Sequence, residues 1–170
     1  SEMQTAHFST VSTWVRPVAA VGAGLLADRW LSTRVIALCF TLAAVVFGSF
    51  LLTVPDGWLP TAVGPAALLW ANILLSCLAM FALRGVYFAV MEEADVPRRL
   101  TGAAVGVISF VGFTPEIFVP LVGGRLIAGA DEGSAGYSIL WALMGAASIA
   151  GLAAAVTLER RLARRKAEAA

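Results

Sequence analysis

Apolar residues gather into five blocks along this chain, at about 8 to 27, 35 to 54, 65 to 91, 101 to 128 and 136 to 157, separated by short polar turns. Three stretches carry no charge: Val35 to Pro55, Gly57 to Leu83 and Gly133 to Leu158. A helix rises about 1.5 Å per residue and needs about 20 apolar residues to cross the hydrocarbon core of a bilayer. Each stretch is long enough. A soluble helix of that length keeps a polar face for water, and these have none. The pattern predicts an all-α, polytopic transmembrane helical bundle of about five helices. Pro55 to Gly64, with Pro-Asp-Gly and Leu-Pro, and Gly129 to Gly136, with Asp131 and Glu132, read as turns. Trp58 and Trp70 suit a membrane interface.

Composition agrees, with 59% apolar and 14% charged residues placing the chain in the membrane class. The net charge of +1 conceals an asymmetry that matters more. Arg29 and Arg34, then Arg98 and Arg99, then Arg160, Arg161, Arg164, Arg165 and Lys166 fall in alternate connections. By the positive-inside rule these connections are cytoplasmic. The first segment then runs inward, and the tail at 158–170 is cytoplasmic, as expected for an integral protein of a plasma (bacterial inner) membrane. The chain opens on Ser1 without a basic region before its first apolar block, which reads as a truncation rather than a secretory signal.

Chemistry is excluded more readily than assigned. Cys39 and Cys77 lie inside apolar blocks and His7 is the single histidine, so neither a disulfide framework nor a metal site is expected, and no cofactor. No nucleophile, base and orienting group assemble, so the chain is not expected to be an enzyme. Gly22-x-Gly24-x-x-Ala27 matches a dinucleotide-binding turn only superficially, lacking the preceding strand and the following acid. The basic tail suits a topology anchor and phospholipid contact better than nucleic acid.

The blocks divide by charge. The second and fifth are almost wholly apolar or small, as expected of peripheral helices in contact with lipid. The first, third and fourth carry Arg16, Arg84 and Glu116. Such charges are costly in hydrocarbon and face a protein interior or a watery cavity. Arg16, beside Pro17, lies about 16 Å from the inner end of its block, on a face with Ser9, Ser12, Ala20 and Gly24 that can line a cavity. Asn72, Ser76, Arg84 and Tyr87 share a face of the third block, with Arg84 about 10 Å from its inner end. Glu116 follows Pro115 in a glycine-rich block suited to bending or rocking. Desolvation and a neighbouring arginine pull its ionisation in opposite directions, a balance that proton-coupling groups exploit. A static Arg16–Glu116 pair is the plainer alternative. Glu92, Glu93 and Asp95 read as a solvated turn, and Thr101 as a helix cap.

Between the first two blocks stand Gly24, Asp28, Arg29 and Arg34. A carboxylate at a helix end, here Asp28, can cap a neighbouring helix N-terminus, and the arginines can pair with it or reach lipid phosphates. The spacing resembles the cytoplasmic loop motif of the major facilitator superfamily, Gly-x-x-x-Asp-Arg-x-Gly-x-x-Arg, with Leu31 in place of the second glycine. That resemblance covers the whole chain and implies a partial C-terminal transporter domain over 1–170, about helices eight to twelve of twelve. It implies Gly24, Asp28, Arg29 and Arg34 as a cytoplasmic gate motif. The missing N-terminal half is then a partner, alongside the lipid bilayer, a small-molecule solute, and H+ or another coupling ion. The inner arginines favour an anionic solute, with Arg16, Asn72, Arg84, Tyr87 and Glu116 as substrate or coupling residues. The expected function is secondary active transport by alternating access. The alternatives are a small five-helix membrane protein with a structural or partner-binding role, self-associating through Gly102-x-x-x-Gly106 or the small-residue face of the last helix, and an inert truncated gene product.

Overall fold

A computed structural model describes residues 2–53, 65–94, 96–128 and 135–168. Among them run five long helices and one short one: α1 Glu2–Arg29, α2 Ser32–Thr53, α3 Pro65–Val86, α4 Val90–Glu93, α5 Thr101–Ala128 and α6 Ala135–Glu168. The chain is an all-α membrane bundle. Three helices are long and apolar enough to cross a bilayer, over Ser32–Leu51, Arg98–Ala128 and Gly136–Arg165. α3 adds a shorter apolar stretch, Trp70–Val86. The expected turns at 54–64 and 129–134, with Trp58, Asp131 and Glu132, lie outside the described residues.

Within lipid every polar group needs an internal partner. The hydroxyls of Thr41, Ser76, Thr114, Ser148 and Thr157 each donate to a carbonyl three or four residues back in their own helix, at 2.6–2.8 Å. These residues therefore sit in apolar helices without calling for a cavity or a second helix.

α2 is the organising helix. Val35, Cys39, Ala43, Val46, Phe47 and Phe50 are all buried, and their spacing of three and four places them along one side. The upper cluster joins Ala43, Val46, Phe47 and Phe50 to Ala79 of α3, with Trp141 of α6 packed against it. The rings of Phe50 and Trp141 stack with centroids 4.4 Å apart. The lower cluster joins Val35 and Cys39 to Ala23 of α1 and Val86 of α3. Residue order in these contacts makes α2 antiparallel to α3 and α6. α1 and α3 run parallel, and Gly85 makes their close approach: a Cβ there would stand 3.2 Å from Ala20 Cα.

Contacts among the described residues do not follow the expected division into peripheral and inner helices. α2 and α6, expected at the periphery, share the most extensive helix–helix contact in the bundle. α5, expected inside, has Gly123 as its one buried residue. Charge in a helix marks a polar requirement but not its position in the packing. Apolar helices with small residues pack on each other as readily as on lipid.

Two connections also depart from expectation. The third block does not continue as one helix to 91; it breaks at Val86 into a turn over 87–89, and α4 follows. Thr101 is not a cap. It has helical dihedrals (φ −56°, ψ −43°) and continues a 3₁₀ turn, Arg98–Leu100, directly into α5.

Candidate functional site

The turn between α1 and α2 consists of Trp30 and Leu31. The Leu31 carbonyl accepts from Arg34 and Val35 backbone N–H at 2.9 and 3.2 Å, so leucine holds the cap position of α2 without a side chain able to cap. The first N–H groups of a helix have no partner within it. Glu93 supplies one from 61 residues downstream. Its Oε1 accepts the Ser32 N–H in a short contact, and its Oε2 lies 3.5 Å from Thr33 N and 3.3 Å from Thr33 Oγ1. Ser32 and Thr33 are buried, so water cannot take that place. A carboxylate here also meets the positive end of the helix dipole.

The carboxylate that caps α2 is Glu93; Asp28 is exposed. One expectation is thereby corrected: Glu93, expected in a solvated turn, is a structural clasp. Asp28 sits on the last turn of α1, one side of a tight connection, whereas α4 lies across the start of α2. Arg29 is exposed too. Arg34 does not pair with Asp28: its Nε donates to Glu159 Oε1 of α6 at 2.8 Å. A Cβ at Gly24 would meet nothing within 4 Å, so no close approach in this bundle requires glycine there.

Away from this connection, Arg84 of α3 forms an ion pair with Glu116 of α5, with their side chains 36% and 52% exposed. The guanidinium carbon also stands 5.3 Å from the centroid of the Phe113 ring, a cation–π contact. Glu116 lies about 22 Å from one end of α5 and about 18 Å from the other, at 1.5 Å per residue, and so near the middle of a membrane-length helix. Pairing is what makes such a charge tolerable. The Arg16–Glu116 pair is therefore replaced by Arg84–Glu116. Arg16 sits over the Phe81 ring instead, 4.8 Å from its centroid. Part of the stripe expected to line a cavity, at Ala20, is turned onto α3, because Gly85 leaves room for it. The side chains of Ser9 and Ser12 lie outside the described residues.

Asn72 is half-buried on α3, about 18 Å along the helix from Arg84, and the two are not brought together. Tyr87 has its ring 4.1 Å from that of Phe88 and lines a crevice between α2, α4, α5 and α6 with Ile36, Phe40, Ile108 and Leu158. The crevice holds about 410 Å³ and its lining is apolar, which suits hydrocarbon rather than a charged solute. Among the described residues no cluster of acids, histidine and cysteines can hold a metal ion, and both cysteines are free. Sequence reasoning overlooked Glu93 and Glu159 as partners. Each is an acid beside basic residues in a polar segment, a pattern that marks a surface and does not name a distant partner.

Fold and site together define an all-α integral membrane protein with an arginine–glutamate ion pair between two of its helices and polar clasps near the chain reversal at residue 30. No family model matches the chain, and no solved structure matches it. The chain is 30% identical over 149 residues to Inner membrane protein YihN of Escherichia coli (strain K12), covering 85% of this chain and 33% of YihN. It is 42% identical over 52 residues to Inner membrane protein YqcE of the same organism, covering 30% of this chain and 12% of YqcE. An uncharacterized protein of Mycoplasma pneumoniae (strain ATCC 29342 / M129 / Subtype 1) is 31% identical over 88 residues, 45% of this chain and 40% of that protein. The chain thus spans less than half the length of each of these relatives.

Proposed function

We propose that the chain is part of a secondary transporter of the major facilitator kind, residing in the inner membrane with its C-terminus in the cytoplasm and carrying a small anionic organic solute by alternating access. The observation that carries this reading is the Arg84–Glu116 pair. It joins two helices that otherwise scarcely touch, at a depth where a static bundle gains nothing from charge. An anionic solute competing with Glu116 for Arg84 would release α5 from α3, coupling binding to a helix movement. Protonation of Glu116 would do the same, which gives H+ a place as coupling ion. The glycines and two prolines of α5 suit it to move. The similarity to part of an inner membrane protein three times the matched length supports a larger whole, whose remaining helices would complete the solute path.

The test is uptake of small mono- and dicarboxylates by proteoliposomes holding the intact protein. Arg84→Gln should lower uptake of the accepted anion by about tenfold, equivalent to the roughly 1.4 kcal/mol of one charge-assisted contact. The exchanged pair Arg84→Glu with Glu116→Arg should recover folding but not uptake. Unchanged uptake of every accepted anion in Arg84→Gln would remove the binding role.

A second reading, a small membrane protein that works by binding a partner, is favoured by α5 itself. Cβ positions at Gly102, Gly106 and Gly112 meet nothing within 4 Å, so this helix offers small residues that the bundle leaves unused. Gly106→Leu should then change the oligomeric state or partner capture in detergent. In the transporter reading it alters uptake without changing assembly.

A further inference from the structure

Beside the chain reversal at residue 30, the start of α2 and the late turns of α6 flank an open hollow of about 450 Å³ lined by Trp30, Arg34, Ala37, Leu38, Thr41 and Glu159. Its two ends differ in chemistry. Arg34 and Glu159 form the ion pair at one end, where the apolar run of α2 begins and therefore at the level of the membrane interface. Thr41 lies seven residues further along, about 10 Å deeper, and its hydroxyl proton is spent on the Ala37 carbonyl at 2.8 Å. Ala37 and Leu38 complete an apolar wall. Trp30, half exposed at the rim, is the residue type that settles where hydrocarbon meets headgroups.

The ion pair itself is only partly used. The contact joins Nε of Arg34 to Oε1 of Glu159, and the Arg34 side chain remains 61% exposed. The terminal guanidinium amino groups, suited to phosphate, and the second carboxylate oxygen, suited to an ammonium, are left for a further partner. We infer that this hollow is a binding site for a phospholipid bearing a primary ammonium, of the phosphatidylethanolamine class, its phosphate on Arg34, its ammonium on Glu159 and its proximal acyl chain along Ala37 and Leu38. A soluble phosphate would leave the apolar wall empty. A purely anionic lipid would set its charge against Glu159 without a compensating contact. The inference is independent of any transport role.

Native mass spectrometry of the full chain, released from detergent with phosphatidylethanolamine, phosphatidylcholine or phosphatidylglycerol added, tests it. The quaternary ammonium of phosphatidylcholine cannot donate a hydrogen bond, so the wild type should retain phosphatidylethanolamine about fivefold better, the upper range for one solvent-exposed charged contact. Glu159→Gln should bring that ratio to about one while retaining phosphatidylglycerol at least as well as the wild type. Arg34→Gln should lower retention of all three lipids, and Arg34→Lys, which keeps the positive charge and guards against a folding defect, should fall between. Equal retention of the two zwitterionic lipids by the wild type overturns the inference. So does a preference that survives Glu159→Gln, or retention in Arg34→Lys as poor as in Arg34→Gln.

Discussion

Replacing Glu93 by alanine should destabilise the bundle by about 3 kcal/mol, because two backbone donors lose their acceptor together and each buried unsatisfied group costs about 1–3 kcal/mol. Ser32 and Thr33 are 5% and 1% exposed, which keeps water from replacing the carboxylate. Leu31, at the cap position, cannot substitute for it. Glu93→Gln keeps one carbonyl oxygen and should lose only about 1 kcal/mol. The measurement is helicity followed through titration with a denaturing detergent. A Glu93→Ala midpoint indistinguishable from the wild type would mean that the clasp between α4 and α2 carries no stability. The effect should also be directional: α4 and the start of α2 should gain amide exchange, while the upper cluster around Phe47 and Trp141 should not.

Gly136→Ala is the second large effect, although it adds a single methyl group. A Cβ there would stand 2.5 Å from the Leu126 carbonyl oxygen, 3.0 Å from its carbon and 3.1 Å from Ile127 Cα. All three are backbone atoms of α5, so no side chain can swing aside. The helices must separate, at about 2–3 kcal/mol, as for other overpacked contacts. α5 is otherwise held chiefly against α6, where Gly123 meets Leu140, so the damage should fall on that attachment. Cysteines placed at Gly123 and Leu140 should crosslink efficiently in the parent and poorly with Gly136→Ala added. Gly106→Ala is the control: its Cβ enters open space, and alanine should stabilise the helix by about 0.5–1 kcal/mol. Equal crosslinking with and without Gly136→Ala would show that the helices are not in close contact there.

These two sites show what kind of information the chain carries openly. The helices themselves were legible, because a run such as Val35 to Pro55 states its length and its lack of charge without reference to anything else. Arg84 and Glu116 were also legible as exceptional, since a charge among apolar residues stands out locally. Their pairing was not. By depth alone Arg16, about 16 Å from its inner end, matches Glu116 better than Arg84 at about 10 Å, and the pairing with Arg84 rests on the rotation of α1 onto α3, set by the fit of Ala20 against Gly85. Glu93 was hidden for a related reason. In a turn with Asp95, Arg98 and Arg99 it resembles any solvated charge until the fold lays α4 across the uncapped start of α2.

The sequence by itself determined an all-α membrane protein, the extent of most of its helices and the short list of charges that lipid would not tolerate alone. Hydropathy is a property of each segment, and the cost of exposing backbone to hydrocarbon forces each segment into a helix whatever its neighbours. Only the tertiary structure decided which helix is central, which acid caps α2, and which cation holds Glu116. Those choices depend on rotation and register between helices. In an apolar bundle they are governed by the close contacts of small residues and a few polar pairs, which no single segment contains.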